Sequence, residues 1–457
     1  MLYSETSMPQ NGKGRNYPHE GATLETVDLL ITHASELLTC RQPPQGPDAD
    51  LEIVADGAVA IRSGRVVATG TTSDLSGRYK PHSVYDAAGR LVSPGLVDPH
   101  THLVHAGSRH HDWEAHVTGQ PSAGLAGGIA WSIEQTRSTA DDELRHRALA
   151  DLDLMLAHGT TTVEAKSGYG LDRQTELRLL RITASLDHPV EVVTTYLGAH
   201  VLPRAYQGRR DDYVDLVISL LPEARQYAQY CDVCCDPVGF TNDECRRIAL
   251  AAQDLGFGIR VHADQTGDAR GAELAAEVNA TSVDHLEAVS SVGVQALVGS
   301  SVTAVLVPGV AFHMTETIPA RDGDDRGWSP PRLANVPAWA DKLSTSGLRL
   351  ALATDYNPGT SPTPSMQMAM QLAARLYRFT SAQIWLQATI NAASALDRSD
   401  RVGSLEPDKH ADIVIWSVPE HGMVINRFGI NLADVVIKRG VVVHTAPHPR
   451  GRDPIET

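Results

Sequence analysis

Two imidazoles one residue apart, His100 and His102, follow the apolar run in "LVSPGLVDPHTHL". In an extended segment residues i and i+2 face the same side. Both rings then point one way, and two imidazoles on one side of a strand end form half a metal site. "VHADQ" offers His262 and "ATDYNPG" offers Asp355, each at the polar end of another apolar run. Three neutral imidazoles and one carboxylate suit a single divalent ion, Zn2+ or Fe2+, with a position left for water. Such a water has its pKa drawn down toward about 7, so the chemistry is hydrolytic. Taken singly these residues carry little, since a lone strand-end histidine is more often a structural hydrogen-bonder and the chain has 20 histidines. The regular order is what counts: the pair, His262, His285 in "TSVDHLE" and Asp355 all fall at strand ends.

Elements to hold them can be read along the chain. Eight buried-strand candidates alternate with helical stretches: "GLVDPHTHL", "TTTVEAKSGYG", "VEVVTTYLGAH", "YCDVCCD", "GIRVHADQ", "TSVDHLE", "VTAVLVPG" and "LRLALATDYNPG". The helical stretches include "ADDELRHRALADLDLMLAHG", "RQTELRLLRITASL", "NDECRRIALAAQDLG" and "GAELAAEVNA". Such alternation implies a parallel sheet, and eight repeats a (β/α)8 TIM-like barrel. Most runs begin apolar and finish on His, Asp, Glu, Lys or Asn, which is the rim where barrel active sites sit. Before and after them come short β-like runs separated by Gly turns, such as "LEIVADGAVAIRSGRVVATG" and "ADVVIKRGVVVH". The expected class is therefore α/β, a barrel over 93–399 with a small β-sandwich domain built from both chain ends, 25–92 and 400–447. The stretches 1–24 and 448–457 are expected to be tails.

Composition narrows the partners. With 39 Lys and Arg against 55 Asp and Glu, the formal charge is −16. A balance so acidic disfavours nucleic acid and anionic membranes, which need a basic patch. No run reaches the roughly 18 apolar residues of a membrane span, and the start lacks a secretion signal's apolar core, so a cytoplasmic location is expected. The five cysteines (Cys40, Cys231, Cys234, Cys235, Cys245) are too few for a disulfide framework. Cys231 and Cys234 form a C-x-x-C with no second pair, and are expected to be reduced, buried thiols.

The motifs "DPHTHLVHAGSR", "TTVEAKSGYGLD", "LGAHVLP", "HADQ", "VDHLE" and "ATDYNPGTSPTPSMQ" resemble the amidohydrolase superfamily and, within it, the enzymes that open the imidazolone ring in histidine breakdown. The resemblance runs from about residue 50 to 440, and "KSGYG" with "DYNPGTSP" is its most specific part. It implies that His100, His102, His262 and Asp355 bind one metal ion, and that Arg109, Tyr169, His200, Gln265, Asn357, Gly359 and Thr360 line the substrate pocket. It also implies a small anionic imidazolone substrate, 4-imidazolone-5-propanoate, and a homodimer. The residue chemistry agrees: a propionate tail needs a cation, Arg109 offers a bidentate fork, and in "NPGTS" the backbone and the Thr360 hydroxyl can donate to a carboxylate. Two-metal relatives bridge their ions with a Lys or Glu on the fourth strand, and "CDVCCD" has no Lys. Lys166, on the second strand, is expected to be a pocket-wall or ion-pair residue. Some relatives carry Glu where this chain has Gln265, which cannot act as a base. His285 is then the expected general base, aided by Asp355, unless it only positions the carbonyl oxygen. Two rivals remain: another cyclic amidohydrolase or deaminase on the same scaffold, and a non-catalytic metal-binding barrel. The insertion at 313–339, rich in Gly, Asp and Pro, reads as a loop over the pocket or at a subunit contact.

Overall fold

A computed structural model describes residues 24–41, 50–118, 128–313, 336–447 and 455–456. Nearly all of the two expected tails and most of the 313–339 insertion lie outside the described residues. The chain starts with β1 (Glu25–Leu38), β2 (Ile53–Arg62), β3 (Arg65–Thr71), β4 (Tyr79–Asp86) and β5 (Val92–Pro94). Eight strands follow: β6 (Leu96–Asp98), β7 (Thr160–Lys166), β8 (Glu191–Ala199), β9 (Tyr230–Cys235), β10 (Gly258–Ala263), β11 (Ser282–His285), β12 (Thr303–Leu306) and β13 (Arg349–Leu352). The chain then returns through β14 (Ile413–Trp416), β15 (Ala433–Lys438), β16 (Val441–Thr445) and β17 (Ile455–Glu456).

β6 to β13 pair in sequence order as one parallel sheet, with helices between them. The helix at Asn242–Asp254 shows why these segments fold as they do. Thr241 and Glu244 make a capping box, and Cys245, Ile248, Ala249 and Ala252 form the buried stripe that packs on the sheet. Both faces of such a sheet are covered, so its strands read as near-continuous apolar runs. The barrel closes beyond the ends of its outermost strands. Thr101 bridges Tyr356, the N–H of Asp355 donates to His100 O at 3.0 Å, and that of His102 donates to Tyr356 O at 2.9 Å. Asp98 adds a side-chain clasp, accepting from Thr354 N at 3.1 Å and Thr354 Oγ1 at 2.5 Å.

The remaining strands form the second sheet, drawn from both chain ends. The long β1 organises its first half, with β2 antiparallel on one side and β4 parallel on the other. β14 joins the second half to the first, pairing antiparallel with β5 (Val414 opposite Ser93) and with β15. Trp416, fully buried on β14, donates its indole N–H to Ser93 Oγ at 2.9 Å. β5 runs into β6 through Gly95, where a Cβ would lie 2.3 Å from Thr161 Oγ1. Only glycine lets the linker pass so close to the barrel.

Candidate active site

Alternate residues of a barrel strand face its interior. On β7 this places Glu164 and Lys166 inside, on β10 Arg260 and His262, and on β11 Ser282 and Asp284. All are buried. β6 ends at Asp98, so His100 and His102 sit in the extended segment after it rather than on the strand itself. The closure bonds keep that segment extended, and the two rings still converge. His100 Nε2 and His102 Nε2 lie 3.3 and 3.4 Å from Asp355 Oδ1. The ring centres of His262 and His100 are 4.5 Å apart.

Two sharp turns complete the cluster. His285 follows the inward-facing Asp284, so strand alternation alone would turn it away from the mouth. Instead His285 and Leu286 take φ of 81° and 72°. His285 Nε2 thereby comes within 4.0 Å of Asp355 Oδ2. Asp355 itself has φ of 49°. Left-handed backbone at such residues costs about 1–3 kcal/mol each and is kept only where the surroundings enforce it.

The donor chemistry fits a cation. His100 Nδ1 is 2.7 Å from Asp284 Oδ2, and His262 Nδ1 is 3.0 Å from Asp232 Oδ1. Each carboxylate fixes the ring so that the other nitrogen carries the lone pair. Those other nitrogens, His100 Nε2 and His262 Nε2, are buried without a hydrogen-bond partner, as is His102 Nδ1. Buried polar atoms are normally satisfied, and a metal ion would satisfy His100 Nε2 and His262 Nε2. His100, His102 and His262 form one group with ligand atoms within 4.8 Å of one another, and His100, His285 and Asp355 form another.

Electrostatics favour the neutral form of the His100 and His102 imidazoles. Burial and the Lys166 charge hold His100 well below its ordinary range, and burial with its histidine neighbours does the same for His102. Burial pushes Asp232 up, but His262 and Lys166 outweigh it and hold the carboxyl well below the usual range. Asp355 is pushed up to about 7 by burial. Burial pulls His285 down, but Glu287, 3.7 Å from its Nδ1, carries it to about 9.

Of the remaining predicted residues, His200 and Tyr169 lie against His102. His200 stacks on His102 at 5.0 Å, with Nδ1 2.9 Å from Gly168 O. Tyr169 meets the His102 ring edge-on at 5.6 Å. Its loop is shaped by Glu176, a buried carboxylate that accepts from the N–H groups of Gly168, Gly170 and Leu171. Arg109 gives its Nε to Asp112 Oδ2 at 2.8 Å. Its guanidinium lies against Gly359, where a Cβ would be 1.8 Å from Nη1. The Nη1–Nη2 edge is taken by no acceptor among the described residues. Gln265 follows β10, its N–H held by Asp236 Oδ2 at 2.9 Å.

One expectation is revised. The N–H groups of Gly359 and Thr360 both donate to Asn357 Oδ1 at 2.8 Å, and Asn357 Nδ2 donates to Thr360 Oγ1 at 2.9 Å. The Asn357 carboxamide satisfies its own turn, so these backbone donors are already engaged, whereas Arg109 keeps donors that no acceptor among the described residues takes. The sequence reading missed Asp232, Asp284, Glu164, Arg260, Glu176 and Glu287. Lys166 is an ion-pair residue as expected, within 2.9 Å of Glu164 Oε1 and 2.7 Å of Asp232 Oδ2. The five cysteines are free and buried, as expected.

The fold and this constellation are those of an amidohydrolase, and an amidohydrolase family model matches residues 234–444. The imidazolonepropionase of Bacillus velezensis is 36% identical over 427 residues, spanning 91% of this chain and 97% of that relative. That of Fusobacterium nucleatum is 37% identical, spanning 91% and 99%. The chain belongs to the imidazolonepropionase family. Among solved structures, a zinc-bound adenosine deaminase from Xanthomonas campestris shares the fold with a TM-score of 0.65 at 18% identity, over 92% of this chain and 93% of that one. The guanine deaminase of E. coli shares it with a TM-score of 0.65 at 14% identity, over 92% and 100%. Among the described residues no helix is long and apolar enough to cross a membrane.

Proposed function

We propose that this protein hydrolyses 4-imidazolone-5-propanoate to N-formimidoyl-L-glutamate in histidine degradation, as a cytoplasmic homodimer whose barrel, residues 93–399, is the catalytic domain. The observation that carries the reading is the convergence of His100, His102 and His262, whose ligand atoms lie within 4.8 Å of one another, with the Nε2 atoms of His100 and His102 facing Asp355 Oδ1, in a chain whose relatives bear the imidazolonepropionase name over nearly their whole length.

His100, His102, His262 and Asp355 would hold one divalent cation, Zn2+ or Fe2+. When bound, that ion supplies water activation and carbonyl polarisation. The protein's own groups supply the rest. Arg109 takes the propionate on its open guanidinium edge, against Gly359 and the Asn357–Thr360 turn. Tyr169 and His200 wall the ring, and Gln265 reaches the ring nitrogens as donor or acceptor. The water's oxygen bonds to the ring carbonyl carbon, the adjacent ring carbon–nitrogen bond breaks, and the water's proton ends on the departing nitrogen. His285 Nε2 accepts that proton and Asp355 helps return it.

The Glu287 contact favours a second reading of His285 alone. That carboxylate, 3.7 Å from Nδ1, favours the charged form of His285, and in that form the ring would donate to the carbonyl oxygen rather than accept a proton. The pH profile separates the two readings. A base gives kcat/KM rising with pH through its titration, and a donor gives kcat/KM falling. The function itself is tested by incubating purified protein with 4-imidazolone-5-propanoate and following the ring absorbance. Fading with formation of N-formimidoyl-L-glutamate is expected. An inert ring alongside turnover of a purine or another cyclic amide would transfer the assignment to one of those activities.

A further inference from the structure

We propose that Lys166 is the positioning residue of the candidate metal centre, acting through Asp232 and Asp284 to fix the rings of His262 and His100 and so to set the site's grip on a divalent cation. This rests on the ligand set proposed above.

Lys166 Nζ lies 2.7 Å from Asp232 Oδ2, 2.9 Å from Glu164 Oε1 and 3.4 Å from Asp284 Oδ2, and all four side chains have no exposure. An ammonium has three protons, and here three carboxylates surround them. The two aspartates continue outward to the imidazoles. Asp232 meets the ammonium with Oδ2 and His262 Nδ1 with Oδ1. Asp284 Oδ2 faces both the ammonium and His100 Nδ1, while Oδ1 accepts from Ser282 Oγ at 2.7 Å. One cation thus braces both carboxylates that orient candidate ligands, and the nitrogens opposite those contacts are the partnerless Nε2 atoms.

Arg260 stiffens the arrangement from below. Its Nη1 and Nη2 donate at 2.6 Å to Ala395 O and Pro99 O, and it lies 3.6 Å from both Glu164 Oε1 and Asp284 Oδ2. Two cations against three carboxylates leave the carboxylates in excess in this lattice. A buried excess of negative charge is costly unless compensated, and a divalent ion at the imidazoles compensates it. Without Lys166 the two aspartates would repel each other and turn from the rings.

The test compares Lys166→Met and Asp284→Asn with the parent enzyme, all loaded with Zn2+, by competition with a chelating dye and by the visible spectrum after Co2+ substitution. Losing a partner behind a metal-bound histidine typically weakens metal binding roughly 10–100-fold. Each variant is expected to show a loss of that order and an altered Co2+ spectrum, with the double variant losing less than the product of the two. A folded Lys166→Met with a lower melting temperature but unchanged Zn2+ affinity and Co2+ spectrum would make Lys166 structural only and overturn the proposal. Should Lys166→Met fail to fold, Asp284→Asn decides in its place, and unchanged affinity there overturns the proposal equally. His262→Asn keeps the two failures apart, because undiminished Zn2+ affinity in that variant would refute the ligand set itself.

Discussion

The main-chain N–H of Asp355 donates to the carbonyl oxygen of His100 at 3.0 Å. The bond that closes the barrel between its first and last strands therefore joins two of the four candidate ligands by their backbones. Side-chain and backbone roles can be separated at this seam. His102→Asn leaves the seam's backbone bonds in place and removes an imidazole. Ligand binding raises stability by about 2.7 kcal/mol at a hundredfold excess over Kd. The parent enzyme should melt at a higher temperature with Zn2+ than after chelation. His102→Asn should show little or no such difference, and calorimetry with and without the ion would reveal it.

Arg109 presents beside Gly359 a guanidinium edge that no acceptor among the described residues takes, with Nε already tied to Asp112. A hydrogen bond to a charged group contributes about 1.5–3 kcal/mol, so Arg109→Met should lower kcat/KM by roughly 10- to 150-fold, mostly through KM. A substrate analogue lacking the carboxylate should be turned over equally by both enzymes. Steady-state kinetics on the two substrates would expose any other role for Arg109.

Glu176 shapes the Tyr169 loop by accepting from three backbone N–H groups. Glu176→Gln keeps the size but removes the charge, and should destabilise the protein by about 1–3 kcal/mol. It should also raise KM, because Tyr169 leaves its place against His102. Denaturant unfolding and kinetics together check this, and an unchanged KM would show that the loop does not need Glu176.

Acid stability has a local source in the pair formed by Arg210 and Glu244. The guanidinium hydrogen bond holds the Glu244 carboxyl down at about 2, against an ordinary value of 4.5. A group depressed on folding contributes stability that is full above its unfolded pKa and lost as pH falls toward its folded one. Glu244→Gln should therefore be less stable than the parent above pH about 5, with the gap narrowing between pH 4.5 and 2. Urea titrations across that range would show a constant gap if the carboxylate contributes nothing.

All eight barrel strands were legible because a parallel sheet covered on both faces leaves long apolar runs with a polar tip. His100, His102, His262 and Asp355 stood at those tips and could be found by residue type. The charged layer beneath was not legible in the same way. Asp232 sits inside "YCDVCCD" and Arg260 inside "GIRVHADQ", where a single charge within a strand gives no sign of its partners on other strands. Their pairing depends on which side of each strand faces inward and at what height, and that emerges only when the barrel closes. The orientation of His285 was hidden for another reason: two successive left-handed residues, His285 and Leu286, override strand alternation, and neither is a glycine that would have announced the turn. In "NPGTS" the residues were visible, but whether Asn357 would bond its own turn or a ligand was not.

One divalent ion, gripped by His100, His102, His262 and Asp355, is proposed to be required for ring opening. Metal-stripped protein titrated with Zn2+ while 4-imidazolone-5-propanoate is consumed measures this requirement directly. No turnover is expected at the start, followed by a linear rise that saturates at one equivalent per chain. Full activity in the stripped protein, or saturation only at two equivalents, would contradict the proposal.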